Sequence, residues 1–214
     1  MDPKPVELKT MLLAAAAILL IEAAMFLIIR TFSAPKMAIL GLTRLIDLGL
    51  MGLILSGARE GWTSVGLTRQ GAASGLRTGL IWSAILGGTA FLALALLGLA
   101  GIDWPALFLL SPPPAITDLV LFMVVGGLIA PLAEEVLFRG LIFGFLRRWG
   151  AWAAVIGSTL IFVLAHQPGL NSVPVQTAGG LVFALTYERY RNLVVPMTIH
   201  VVGNTALFTL GFSL

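Results

Sequence analysis

Seven apolar runs, each near the ~20 residues a helix needs to cross a hydrocarbon core, dominate the chain: residues 11–29, 37–56, 79–100, 119–146, 151–166, 173–187 and 193–210. Such runs leave little choice of fold. In lipid every backbone N–H and C=O has to be satisfied within its own segment, so each run predicts a helix. The whole predicts an all-α, polytopic transmembrane helical bundle of about seven spans, integral to a membrane and surrounded by the lipid bilayer. Composition agrees, with 58% hydrophobic and 11% charged residues and a mean hydropathy of +1.01; a soluble domain carries about 25% charged residues. The 173–187 run is shorter than the usual ~17-residue minimum, so it either begins earlier in the preceding loop or does not cross fully.

The residues between the runs set the expected orientation. With the N-terminus inside, the inner side collects Lys4, Lys9, Arg59, Arg69, Arg77, Arg147, Arg148, Arg189 and Arg191, and the outer side only Arg30 and Lys36. The positive-inside rule therefore predicts N-in and C-out. Trp62, Trp104, Trp149 and Trp152 fall at or near the ends of runs, where indoles sit at headgroup level. The first run is long for a signal peptide and lacks a cleavage site, which predicts an uncleaved anchor. Residues 61–77 mix Trp62, Val65, Leu67 and Leu76 with basic and small residues, predicting an interfacial segment; Ser111 to Pro114 marks an external loop. The pI of about 9.8 comes from scattered topogenic charges rather than one basic face, so no nucleic-acid partner is expected. Cysteine is absent, which excludes thiol nucleophiles, disulfides and thiolate ligands.

Ionisable groups inside a membrane are costly, and function is sought there first. Glu22 stands alone in the first run and can bond a neighbouring helix. Arg44 and Asp47, three apart, can pair on one face of the second. The fourth run is richer: Pro131-Leu-Ala-Glu134-Glu135-Val-Leu-Phe-Arg139. Glu135 and Arg139 are four apart and can pair, while Glu134 points about 100° away and needs a partner on another helix, a water or a proton. Pro131 removes a backbone hydrogen bond just before the carboxylates and can kink the helix. Both histidines of the chain lie on apolar runs, in Phe162-Val-Leu-Ala-His166 and His200-Val-Val-Gly-Asn204. His200 and Asn204 project from one face, beside a Gly203 small enough to admit a close helix. Helical rise puts Glu134, His166 and His200 roughly 18, 22 and 12 Å from the inner ends of their runs, compatible with one site near mid-membrane.

On these three elements the chain resembles the CPBP intramembrane proteases, the group that includes type II CAAX prenyl endopeptidases and bacterial bacteriocin-processing or immunity proteins. The match is to EExxxR at Glu134, Glu135 and Arg139, FxxxH at Phe162 and His166, and HxxxN at His200 and Asn204. The resemblance implies a single membrane domain over 1–214, with variable N-terminal spans and the interfacial segment in 1–115 and a catalytic core in 116–214. It implies that Glu134 and His166 activate water, that His200 and Asn204 stabilise the oxyanion, and that Glu135, Arg139 and Phe162 support the site. No cofactor or metal is expected. The implied substrate is a membrane-associated protein or peptide cut near a terminus: a leader, a C-terminal sorting signal or a CAAX-like tail. The implied location is a bacterial or archaeal cytoplasmic membrane.

Other chemistries leave different traces. The chain has no HExxH, GxGD or GxSG motif, whereas zinc held by both histidines and a glutamate is chemically possible and ranks second. A non-catalytic immunity or scaffold protein would not need the complete set of polar residues. A proton-coupled transporter would be expected to show inverted repeats, and none is visible.

Overall fold

The computed structural model describes residues 5–32, 35–59, 61–105, 110–113, 115–167, 169 and 172–213. Among them the secondary structure is helical, with no strand. Seven main helices follow in order: α1 Leu8–Thr31, α2 Lys36–Gly57, α3 Arg69–Leu99, α4 Ile116–Trp149, α5 Ala151–His166, α6 Val173–Tyr190 and α7 Val194–Ser213. Each of the seven apolar runs thus forms a helix. The chain is an integral membrane protein in which α1, α2, α3 with the turn before it, α4 and α7 are long and apolar enough to cross a bilayer. The sixteen residues of α5 span only about 24 Å, and α6 is diluted by Gln176, Thr177, Gly179, Gly180 and Glu188. Large apolar side chains such as Leu20, Leu53 and Phe91 remain more than two-thirds exposed; in this bundle they face lipid, so their exposure carries no hydrophobic penalty.

In the stretch expected to be an interfacial segment, residues 61–64 make one helical turn and helix α3 begins at Arg69, running without a break into the run that starts at residue 79. Thr68 starts it by accepting a hydrogen bond from Gly71 N, satisfying one of the amides a helix N-terminus leaves unpaired. Gly71, Gly75 and Gly79 then form a stripe along which α7 and the turn before it lie. A Cβ at Gly75 would meet Asn192 Nδ2 at 2.7 Å, and one at Gly79 would meet Thr198 Cβ at 2.5 Å. Asn192 seals the seam by donating to the Gly71 carbonyl. Gly203 faces open space; close helix approach is permitted elsewhere, by glycines of α3 and α4.

Packing places α4 centrally. Its first half lies against α2 and α7 and its second half against α5, while α6 packs between α5 and α7. Residues with positive φ end three of the helices: Gly150 (φ 108) separates α4 from α5, and Gln167 and Arg191, left-handed at φ 43 and 51, close α5 and α6. Pro131 does not make a simple kink. Helix α4 widens into π-turns on either side of it, at Val125–Ile129 and Val136–Phe143, with Ala130–Glu135 ordinary α-helix between. The two carboxylates therefore sit between two wide turns, a setting frequently found at functional sites. Of the residues expected to flank the membrane, Lys4 and Pro114 lie outside those described.

Candidate active site

Adjacent residues of one helix face different ways, and the two glutamates show it. Glu135 is fully buried and accepts a hydrogen bond from Arg139 Nη1 at 3.0 Å, the i,i+4 pair expected from the spacing. The same Oε1 lies 2.8 Å from His200 Nδ1 on α7. Arg139 is likewise fully buried, and its Nη2 donates to the Gly180 carbonyl of α6 at 3.1 Å. Its guanidinium stands 4.6 Å from the Phe162 ring centroid and 5.2 Å from that of Phe183, so aromatic faces replace the water it gave up. Buried charge is tolerable here because it is paired, hydrogen-bonded and stacked.

Glu134 faces the imidazoles. Its Oε2 lies 3.4 Å from His166 Nε2 and 3.7 Å from His200 Nε2, so α5 and α7 both direct a ring nitrogen at one carboxylate oxygen carried by α4. The other ring nitrogens set the tautomers. His166 Nδ1 lies 2.8 Å from the Phe162 carbonyl, which can only accept, so Nδ1 carries the hydrogen. His200 Nδ1 likewise donates to Glu135. In the neutral rings both Nε2 atoms are therefore lone-pair nitrogens turned toward a carboxylate. Acceptors facing one another at these distances are satisfied by a bridging donor such as water.

The Glu134 side chain keeps 16% exposure and His166 28%, against 4% for His200 and none for Glu135. The site thus opens along Glu134 and His166 and closes behind Glu135 and His200. Phe162 does three things: its ring contacts Arg139, its carbonyl orients His166, and it packs edge-on against Phe138. Among the described residues no group of three or more His, Asp or Glu side chains is arranged to hold a metal ion.

Asn204, four residues along α7 from His200, donates from Nδ2 to the Gly126 carbonyl of α4 at 3.1 Å. Sequence reasoning missed Phe183, whose ring stacks on His200 with centroids 4.4 Å apart and planes at 21°, and Gly180, whose carbonyl receives Arg139. Both belong to α6, the run with the weakest span signal, and neither lies in a motif.

Residues 116–206, from the start of α4 into α7, match the family model described as Type II CAAX prenyl endopeptidase Rce1-like. That segment contains all three motifs, and the resemblance read from them holds. Among curated proteins, the chain is similar to the membrane-embedded CAAX protease MroQ of Staphylococcus aureus, 36% identical over 91 residues, which are 39% of this chain and 36% of MroQ. It is 33% identical over 96 residues to YdiL of Bacillus subtilis, covering 42% of this chain and 39% of YdiL. An uncharacterized 24.3 kDa protein of Escherichia coli is 29% identical over 96 residues, 42% of this chain and 44% of its own length. The chain therefore spans less than half the length of the curated relatives it matches. No solved structure matches it.

Proposed function

We propose that the chain is an intramembrane endopeptidase that hydrolyses a peptide bond in a membrane-associated protein or peptide, with water activated by Glu134 and His166. One observation carries this reading: a carboxylate oxygen on a central helix, uncommitted to any arginine, is faced by the Nε2 atoms of two histidines from two other helices. A water bridging Glu134 and His166 would be aligned by both. Glu134 takes its proton as the oxygen attacks the carbonyl carbon, and passes that proton to the departing amine as the C–N bond breaks. His200, aimed by its bond to Glu135, would donate from Nε2, once that nitrogen carries a proton, to the oxyanion of the tetrahedral intermediate. The carboxylate behind it works as the orienting acid of a catalytic triad does. Glu135, Arg139 and Phe162 hold the frame, and residues 116–214 make the catalytic core on which 1–115 is mounted.

The match to the Rce1-like family model and the similarity to the membrane-embedded CAAX protease MroQ support a peptidase acting at the membrane. A leader peptide or a C-terminal sorting signal is the proposed substrate ahead of a prenylated CAAX tail. A bacterial or archaeal cytoplasmic membrane, with the N-terminus inside, is the proposed location.

The purified full chain in liposomes, given membrane-anchored reporter peptides, is the test. Cleavage is expected without zinc. One zinc per active chain, with activity lost on chelation and restored by zinc, would move the mechanism to the metal scheme. A folded chain that binds such peptides and cuts none would make it a binder.

A further inference from the structure

Glycine weakens a helix, and many of those in this bundle are explained by a neighbouring element that a side chain would strike. Gly203 of α7 is not: no atom of the described residues stands within 4 Å of where its Cβ would be. The other membrane-helix glycines of which this is true, Gly49, Gly57, Gly87 and Gly88, are exposed, whereas Gly203 is half-buried. Three residues past His200, it lies on the same face of α7, about 4.5 Å farther along the helix. On α6, Gly179 stands four residues before Phe183 and so shares the face whose ring stacks on His200, with centroids 4.4 Å apart. A Cβ at Gly179 would have only the Phe183 ring near it among the described residues, at 3.5 Å. Helices α6 and α7 run antiparallel from their short connection, so both glycines sit about one turn beyond the Phe183–His200 pair, toward the end of α5 that carries His166. Gln176, seven residues before Phe183, comes round to the same face of α6. Its Oε1 is buried with no hydrogen-bond partner among the described residues.

We propose that Gly179 and Gly203 bound a slot, floored by the stacked rings of Phe183 and His200, which receives a large apolar side chain from a residue flanking the scissile bond, and that Gly203 sets the size it accepts. The inference rests on the peptidase reading for what occupies the slot. Two bare stretches of helix backbone leave the width of the missing side chains between them. The aromatic floor is largely apolar, so an aliphatic or aromatic group gains contact there that alanine does not. His200 is both part of the floor and the group aimed at the oxyanion, so a side chain seated against its ring holds the neighbouring carbonyl close to Nε2. At the far end of the slot, Gln176 Oε1 is free to accept a main-chain N–H of the same substrate, which gives the orphaned atom its partner.

The experiment uses the full chain in liposomes and two membrane-anchored reporter peptides, which carry leucine or alanine at every second position of the segment offered for cleavage. Gly203→Leu should lower kcat/KM by about tenfold or more for the leucine reporter and by less than about threefold for the alanine reporter, since filling the slot rejects only the side chains that need it. Gly203→Ala should unfold no lower than the parent, because its Cβ meets nothing. An equal loss with both reporters would overturn the proposal and make Gly203 a packing position. A second measurement needs no cleavage. The chain has no cysteine, so Gly203→Cys places a single thiol in the slot for reaction with N-ethylmaleimide. The leucine peptide should slow that reaction by about fivefold, as an occupied site does, and the alanine peptide much less. Gly88→Cys, exposed on α3, should be slowed by neither. A leucine peptide that protects residue 203 no better than the alanine one would sink the idea. A parent chain that cuts neither peptide would end the peptidase reading, and the labelling would still decide whether the slot is filled.

Discussion

Two charged clusters lie within the membrane bundle, and they are wired in opposite ways. Between α1 and α2 an arginine is the hub: Arg44 pairs with Glu22 and, at 2.9 Å, with Asp47. In the centre of the bundle a carboxylate is the hub, with Glu135 receiving both Arg139 and His200 while Glu134 beside it meets only imidazole nitrogens. An arginine does not give up its proton in a protein, so a cluster organised around one can bind and orient but cannot shuttle protons. A carboxylate opposite neutral imidazoles can do both. The comparison points to chemistry in the second cluster and architecture in the first.

The sharpest way to break that division is Glu134→Gln. The substitution keeps shape and removes the base, so cleavage should fall by about 10²–10⁴ while thermal unfolding in detergent stays close to that of the parent. Activity equal to the parent would end the distinction between the two clusters. Glu135→Gln and Arg139→Ala should show the converse emphasis. Each leaves a fully buried partner charge uncompensated, a loss of roughly 3–5 kcal/mol, and the drop should show first in folded yield and unfolding temperature. A well-folded Arg139→Ala protein would mean that this part of the bundle does not depend on the guanidinium, whether through Glu135, the aromatic rings or the Gly180 carbonyl.

Much of the fold was legible because bilayer-length apolar runs allow only helices, and all seven runs form them. The start of α3 was not, since Arg69, Gln70 and Arg77 give it the look of a surface segment. What makes it a helix is the Thr68 cap and the glycine stripe pressed on α7, and the latter is a contact between distant segments. At the site, local spacing correctly paired Glu135 with Arg139 and Arg44 with Asp47, because i,i+4 and i,i+3 neighbours meet on any helix. Which glutamate would take which histidine was beyond it. His200 reaches Glu135 across 65 positions, and the choice is made by how α7 lies on α4. Glu22, unpaired within its own run, found its partner on the next helix for the same reason. Asn204 was hardest to read, since its partner is a backbone carbonyl and a side-chain pattern carries no mark of it.

The smallest effect is expected from Glu22→Gln, and it tests the architectural half of the comparison. The Glu22 side chain is 42% exposed and Arg44 keeps Asp47, whose side chain is only 3% exposed, so removing Glu22 leaves the arginine paired. The glutamine that replaces Glu22 is neutral and can still accept from Arg44, so the loss should be small beside the roughly 3–5 kcal/mol of a buried pair broken by removing one partner. The unfolding midpoint should therefore shift only slightly. Cleavage should stay within about fivefold of the parent, the factor that corresponds to 1 kcal/mol. A hundredfold loss of cleavage with the fold intact would show that the arginine hub takes part in the reaction, and the two clusters would have to be treated as one site.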